Sequence, residues 1–174
     1  MATRSDRNIV ITGFMGTGKT TVAQRLAGLL GRPFIDTDAE IERRAGRSIA
    51  AIFAEDGEAA FRRSEARLCR FLAGECGLVI ATGGGMLVDP GNRAVMLASG
   101  FVVCLNASVE TIRQRLAGQS ERPLFHGDWE ALLRQRQAAY AEIPHQINTD
   151  GQLPDTIAEE VLALWREWAA VESV

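Results

Sequence analysis

Short apolar runs alternate along the chain with longer stretches in which apolar residues recur every three or four positions. That pattern predicts strands alternating with helices around a parallel sheet. Asn8–Thr12 (NIVIT) reads as a buried strand and Pro33–Asp36 (PFID) as a short one. Leu78–Ala81 (LVIA), Phe101–Leu105 (FVVCL) and His145–Asn148 (HQIN) supply three more. Lys19–Leu30 reads as a helix closed by Gly31. Further helices are expected near Asp38–Ala45, Ile49–Ala54, Gly57–Ala73, Asn92–Ala98, Ser108–Ala117, Trp129–Tyr140 and Pro154–Val171. The segment 118–128 (GQSERPLFHGD) is polar, contains Gly and Pro, and breaks the helical pattern on both sides, a composition that suits a mobile lid. No internal repeat, low-complexity tract or linker divides the chain, so residues 1–174 are expected to form one domain.

Composition narrows the possibilities. Hydrophobic residues make up 47% and charged residues 24%, which is ordinary globular usage. A formal net charge of -3 argues against a nucleic-acid binder, which would carry a basic excess. It leaves room for a small anionic ligand held by a local arginine cluster. Cys69, Cys76 and Cys104 show no metal-ligand spacing and leave an odd thiol, so a disulfide framework is not expected and a reducing cytoplasm is. The first residues carry no apolar segment of the secretory type, and no apolar run approaches the roughly 20 residues needed to span a bilayer. A monomer is the default for this size and charge. Trp165 and Trp168 are spaced for a packed helix face, and His126 and His145 are isolated.

The strongest motif is Gly13-Phe14-Met15-Gly16-Thr17-Gly18-Lys19-Thr20, a full match to G-x-x-x-x-G-K-[ST] between an expected strand and an expected helix. Glycines let backbone N–H groups turn in around phosphate oxygens, and the helix N-terminus adds partial positive charge. A chance match in a chain this long is on the order of one in a hundred. Lys19 is placed to bridge the β- and γ-phosphates, and the Thr20 hydroxyl to ligate Mg²⁺. The motif says nucleotide rather than function. No guanine-reading N-K-x-D follows, and Leu78–Ala81 runs into Thr82-Gly83-Gly84-Gly85 without a terminal Asp. The missing carboxylate makes Asp36, at the end of the neighbouring strand, the expected metal partner.

A second group lies outside that loop. Asp36 and Asp38 flank Thr37 directly after a short strand. In an extended segment their side chains would point the same way, one toward Mg²⁺ and one toward an acceptor hydroxyl. The competing reading makes Asp38 the N-cap of the next helix. Arg62 and Glu65 are three apart on a helix, spaced either for an ordinary surface ion pair or for an arginine held ready to clamp a carboxylate. Three consecutive glycines, Gly83–Gly85, imply close approach of backbone to another group.

Taken in order with Ile41-Glu42, Gly46-Arg47-Ser48-Ile49, Ile52-Phe53, Gly57-Glu58, Phe61-Arg62-x-x-Glu65, Arg122-Pro123-Leu124 and Arg136-x-x-x-Tyr140, these residues resemble the shikimate kinase family from about Asn8 to the C-terminal helix. The resemblance implies a P-loop NTPase α/β/α fold with a five-stranded parallel sheet in the order 2-3-1-4-5. It implies an acceptor region over about 36–65 and a lid over about 118–128. It implies transfer of the γ-phosphoryl group of ATP, with Mg²⁺, to the 3-hydroxyl of shikimate. By resemblance, Asp38, Lys19 and Arg122 would be catalytic, with Asp38 meeting the acceptor hydroxyls and Arg122 swinging over the phosphates. Gly13, Met15, Gly16, Thr17, Gly18, Lys19, Thr20 and Thr21 would surround the nucleotide phosphates, and Arg115, Gln152 and Pro154 the adenine. Arg62 and Arg136 would grip the shikimate carboxylate, with Arg134 a rival for the second position. Glu65 would orient Arg62. Gly83, Gly84 and Gly85 would face the acceptor, and Phe53 and Phe61 would pack near its ring. The motif departs from the family pattern in Thr20-Thr21, where either hydroxyl can serve the metal, and in lacking a proline before Tyr140. Two alternatives stand beside this reading: a kinase of another polyhydroxy acid such as gluconate, and a catalytically idle nucleotide-sensing module.

Overall fold

A computed structural model describes residues 3–117 and 128–171. The order is β1 (Asn8–Gly13), α1 (Lys19–Leu30), β2 (Phe34–Asp36), α2 (Thr37–Ala45), α3 (Ile49–Asp56), α4 (Glu58–Ala73), β3 (Val79–Ala81), α5 (Pro90–Ser99), β4 (Gly100–Asn106), α6 (Val109–Leu116), α7 (Trp129–Ala141), β5 (His145–Asn148) and α8 (Pro154–Ala170). The strands form one sheet in the order β2-β3-β1-β4-β5, every pairing parallel. The expected order and fold class are met.

Alternate residues of the central strands feed opposite faces, as the period of two requires. Ile9, Ile11, Val79, Val103 and Leu105 pack with α1 and α8 through Val22, Leu26, Ile157 and Val161. Val10, Ile80, Val102 and Cys104 face the other way, onto Leu68 and Leu72 of α4 and Met96 of α5. Every residue of β1 is buried, which explains why it reads as a continuous apolar run rather than an alternating one. Trp165 and Trp168 complete the α8 face, with Arg32 and Arg4 stacked over them at 4.8 and 5.0 Å. The packed-face expectation for the two tryptophans is met. Cys69 and Cys104 are buried and Cys76 is exposed, all three as free thiols. Among the described residues no helix is long and apolar enough to cross a membrane.

The order 2-3-1-4-5 places the first β-α turn at the centre of the sheet. The chain moves to one side of β1 to make β2 and β3, then crosses to the other side for β4 and β5. Ligands of open α/β sheets gather at the carboxyl ends of strands beside that switch.

Candidate active site

At the end of β1, Gly13 adopts φ +137°, and a Cβ there would run into the Leu105 carbonyl and come within 3.1 Å of the Thr17 hydroxyl. Glycine is required at this position by space as well as by torsion. The following loop curls around the Phe14 carbonyl, which accepts from the Thr17 hydroxyl at 2.7 Å and from Lys19 Nζ at 2.9 Å. Gly18, at φ +93°, precedes α1 without any side-chain cap. The first-turn N–H groups of α1 thus open onto the hollow of the loop, an anion site formed by backbone and helix dipole.

Thr20, at the start of α1, donates its hydroxyl to Asp36 Oδ2 at 3.0 Å. The other Asp36 oxygen accepts from the Asp38 and Ala39 amides at 3.0 and 3.2 Å, capping α2. The extended reading of Asp36-Thr37-Asp38 is therefore corrected. Asp36 is the last strand residue and the cap at once, and Asp38 already lies in the first helical turn. Nor is Asp38 the N-cap. A hydroxyl and a carboxylate side by side are hard oxygen donors that suit Mg²⁺. Among the described residues no cluster of three or more His, Cys, Asp or Glu could hold a metal unaided, so water and phosphate oxygens would have to fill the rest of the shell.

On the other flank of the loop, Arg115 of α6 donates to the Gly16 carbonyl, to the Thr149 hydroxyl and to the Thr149 carbonyl, each at 3.0 Å. This ties the phosphate loop to the turn after β5. Gln152 sits on that turn with its amide on the Asn148 carbonyl at 2.6 Å, and Pro154 opens α8. Thr21 is exposed on α1, while Met15 is buried. Arg122, and with it most of the expected lid, lies outside the described residues.

The glycine turn after β3 gathers the remaining predicted residues. A Cβ on Gly83 would land on Asp38 Oδ1. One on Gly84 would sit 3.4 Å from Arg136 Nη1, and one on Gly85 would sit 2.5 Å from Arg62 Nη1. Asp38, Arg62 and Arg136, from three different helices, each press on one glycine of three. Gly84 in turn abuts the phosphate loop: its Cβ would lie 3.5 Å from the Gly13 carbonyl and 3.7 Å from the Met15 amide. The glycine turn and the phosphate loop are neighbours.

The two arginines are held differently. Arg62 Nη1 donates to Glu65 at 2.7 Å, and its Nε and Nη2 donate to Glu58 at 3.2 and 3.0 Å. Glu65 is 2% exposed. Burial pushes its carboxyl up from 4.5, and the Arg62 guanidinium opposes that rise. Three of five N–H groups are thus engaged, leaving one on each terminal nitrogen for a ligand. Arg136 is 7% exposed, lies over the Phe14 ring at 5.8 Å, and has no ion-pair partner among the described carboxylates. A buried guanidinium without a carboxylate is a strong anion receptor. Arg134, the rival, has a side chain 64% exposed and 3.9 Å from Asp128, and it is not among the atoms nearest the three glycines. Arg62 lies over the Phe61 ring at 5.4 Å, and Phe53 meets that ring at a tilt with centroids 5.0 Å apart.

Two contacts were missed in the sequence. The Thr37 hydroxyl accepts from the Gly83 amide at 2.8 Å, and the Tyr140 hydroxyl donates to the Gly84 carbonyl at 2.7 Å. Spacing alone could have flagged Tyr140, one helical turn beyond Arg136, but not its partner 56 residues away.

The comparison with known protein families decides what this site belongs to: the shikimate kinase model matches residues 15–166. The chain belongs to the shikimate kinase family. The shikimate kinase of Pelotomaculum thermopropionicum is 44% identical over 171 residues, spanning 95% of this chain and 99% of that one. Among solved structures, the shikimate kinase of Acinetobacter baumannii in complex with shikimate superposes with a TM-score of 0.88 at 37% identity, covering 94% of this chain and 95% of that one. A gluconokinase from Sinorhizobium meliloti superposes at 0.63 with 20% identity over 95% of each chain, a likeness of fold alone. Shikimate kinase family membership makes the chain an ATP-dependent kinase with a nucleotide-binding phosphate loop.

Proposed function

We propose that this protein transfers the γ-phosphoryl group of ATP to the 3-hydroxyl of shikimate, yielding shikimate 3-phosphate and ADP. One observation carries the reading: Asp38, Arg62 and Arg136, remote in sequence, meet on three successive glycines beside the phosphate loop. Two guanidiniums at one end and a carboxylate at the other match a compact ring bearing a carboxylate opposite its hydroxyls. Phe53 and Phe61 supply the apolar wall for that ring.

In the reaction the acceptor oxygen attacks the γ-phosphorus, the bond to the β–γ bridging oxygen breaks, and the hydroxyl proton passes to the Asp38 carboxylate. Phosphoryl transfer through a loose transition state needs positioning and charge neutralisation more than covalent help. Arg62, oriented by Glu65 and Glu58, and Arg136 hold the acceptor carboxylate. The first turn of α1 and Lys19 neutralise charge on the phosphates, joined by Arg122 from the 118–128 segment. Arg115, Gln152 and Pro154 flank the adenine. Thr20 and Asp36 would hold Mg²⁺, which would supply charge neutralisation on the phosphates. The enzyme is read as a single-domain, cytoplasmic monomer; three free thiols support a reducing compartment.

An ADP-release assay with shikimate, with gluconate and with no acceptor tests the proposal. Rapid release with shikimate alone is expected. Turnover with gluconate, acceptor-independent hydrolysis, or silence with every acceptor would each replace the reading with a different one.

A further inference from the structure

The acceptor hollow depends on α7 keeping one register against the glycine turn, because α7 carries Arg136 and the turn faces it. Leu133 and Tyr140 of α7 are buried in one cluster with Ile112 of α6. Beside that cluster, Leu133, Gln137 and Tyr140 line a cleft of about 650 Å³ with Val109 and Ile112 of α6. A helix bordered by such a space can shift unless polar contacts fix it, since a close-packed interior is what normally resists sliding.

Two contacts do so from the turn side. Tyr140, 4% exposed, donates to the Gly84 carbonyl from the same helix face as Arg136, one turn away. Burial pushes its phenol up to about 12, so it stays a donor throughout the physiological range. The second tie runs through Arg93 of α5, which is 7% exposed. Its Nη1 donates to the Leu87 and Val88 carbonyls at 2.9 and 3.0 Å, just beyond the glycines. Its Nε and Nη2 donate to Glu142, the C-cap residue just after α7, at 2.9 and 2.5 Å. Asn92 next to it donates to the Met86 carbonyl at 3.0 Å. The carbonyls of Gly84, Met86, Leu87 and Val88 are thus all held by side chains, and two of the three residues holding them engage α7.

We infer that Tyr140 and the Arg93–Glu142 pair are positioning residues for the acceptor: they register α7 on the Gly83–Gly85 turn and thereby set Arg136 against Arg62 and Asp38. The inference rests on the acceptor pocket proposed above. Tyr140→Phe removes one tie without changing shape. Glu142→Ala removes the other at a side chain 62% exposed, and Arg93 keeps its Leu87 and Val88 carbonyl partners. Each is expected to raise the KM for shikimate about three- to tenfold, the scale of one lost hydrogen bond, and the double variant more than either. The KM for ATP should stay within about twofold. Unchanged shikimate KM in both variants, or parallel rises for shikimate and ATP, would overturn the inference, whatever happens to the Tm. Arg136→Ala measured alongside separates the two levels. If it leaves the shikimate KM untouched, the pocket assignment itself fails. If it weakens shikimate binding while the other variants are silent, only the positioning role is lost.

Discussion

Asp38 sits where three constraints meet: the first turn of α2, the Gly83 backbone, and the buried Glu65–Arg62 pair whose field it shares. A carboxylate in that position can align a hydroxyl and take its proton. Asp38→Asn keeps the shape and removes the base, so kcat should fall at least ~10²-fold, the usual scale for general base work. ATP binding, followed by nucleotide fluorescence titration, should persist. Near-normal turnover would remove Asp38 from the mechanism. Gly85→Ala tests the turn from the other side. Its Cβ would lie 2.5 Å from the tip of Arg62, a flexible group that can move, so the fold should survive while the clamp is displaced. We expect a rise of at least about tenfold in shikimate KM with ATP KM unchanged; an unaltered shikimate KM would show that Arg62 does not work from this position. The chemistry-bearing residues were legible one by one, because Lys19, Asp38, Arg62 and the three glycines occur in recognisable spacing. The match of one glycine to one side chain was not, because it arises from contacts across the fold that no local pattern encodes.

Among the elements, α1 and β5 were read to the residue. Gly31 at φ +61° stops α1, and Asn148 ends β5 before the tight turn at Gly151. The misreading at Asp36-Thr37-Asp38 has a physical cause. Period-two reasoning assumes that a strand continues, whereas Asp36 ends β2 and caps α2 with the same carboxylate. That double duty gives an element-level prediction. Asn is as good a cap as Asp, so Asp36→Asn should leave stability within about 0.5 kcal/mol while raising the Mg²⁺ concentration needed for half-maximal activity. Asp36→Ala should do both kinds of damage, adding the ~0.5–2 kcal/mol cost of a lost N-cap. Denaturant unfolding combined with Mg²⁺ titration of activity separates the two. An unchanged Mg²⁺ requirement in both variants would take Asp36 out of the metal site.

For the molecule as a whole, acid tolerance is tied partly to α2. Glu40 accepts from Arg43 at 2.8 and 2.7 Å and from Arg44 at 2.6 Å, and these contacts hold its carboxyl at about 2 instead of 4.5. The folded state therefore binds this proton less readily than the unfolded state. The associated stability is fully present above about pH 4.5 and disappears as pH falls through about 2. Both arginines are solvent-exposed, which limits the contribution to about 1 kcal/mol at most. Urea unfolding of the parent and Glu40→Gln should show a gap at pH 6 that narrows by pH 3; an equal gap at both would exclude this linkage. At this scale the sequence was most informative. The family resemblance implied the strand order, and that order places the turns after β1, β2 and β3 side by side at the carboxyl edge of the sheet.

The space above Gly83, Gly84 and Gly85 is taken up by the tips of three side chains, so the scaffold there has been hollowed out rather than built up. A lineage drifting toward a new acceptor could not do so by decorating Gly83 or Gly85, since a Cβ at either would first displace Asp38 or Arg62. Change of substrate would have to begin at the reaching residues on the helices. The bare turn would then act as an evolutionary ratchet, conserving the outline of the ligand while the groups around it vary.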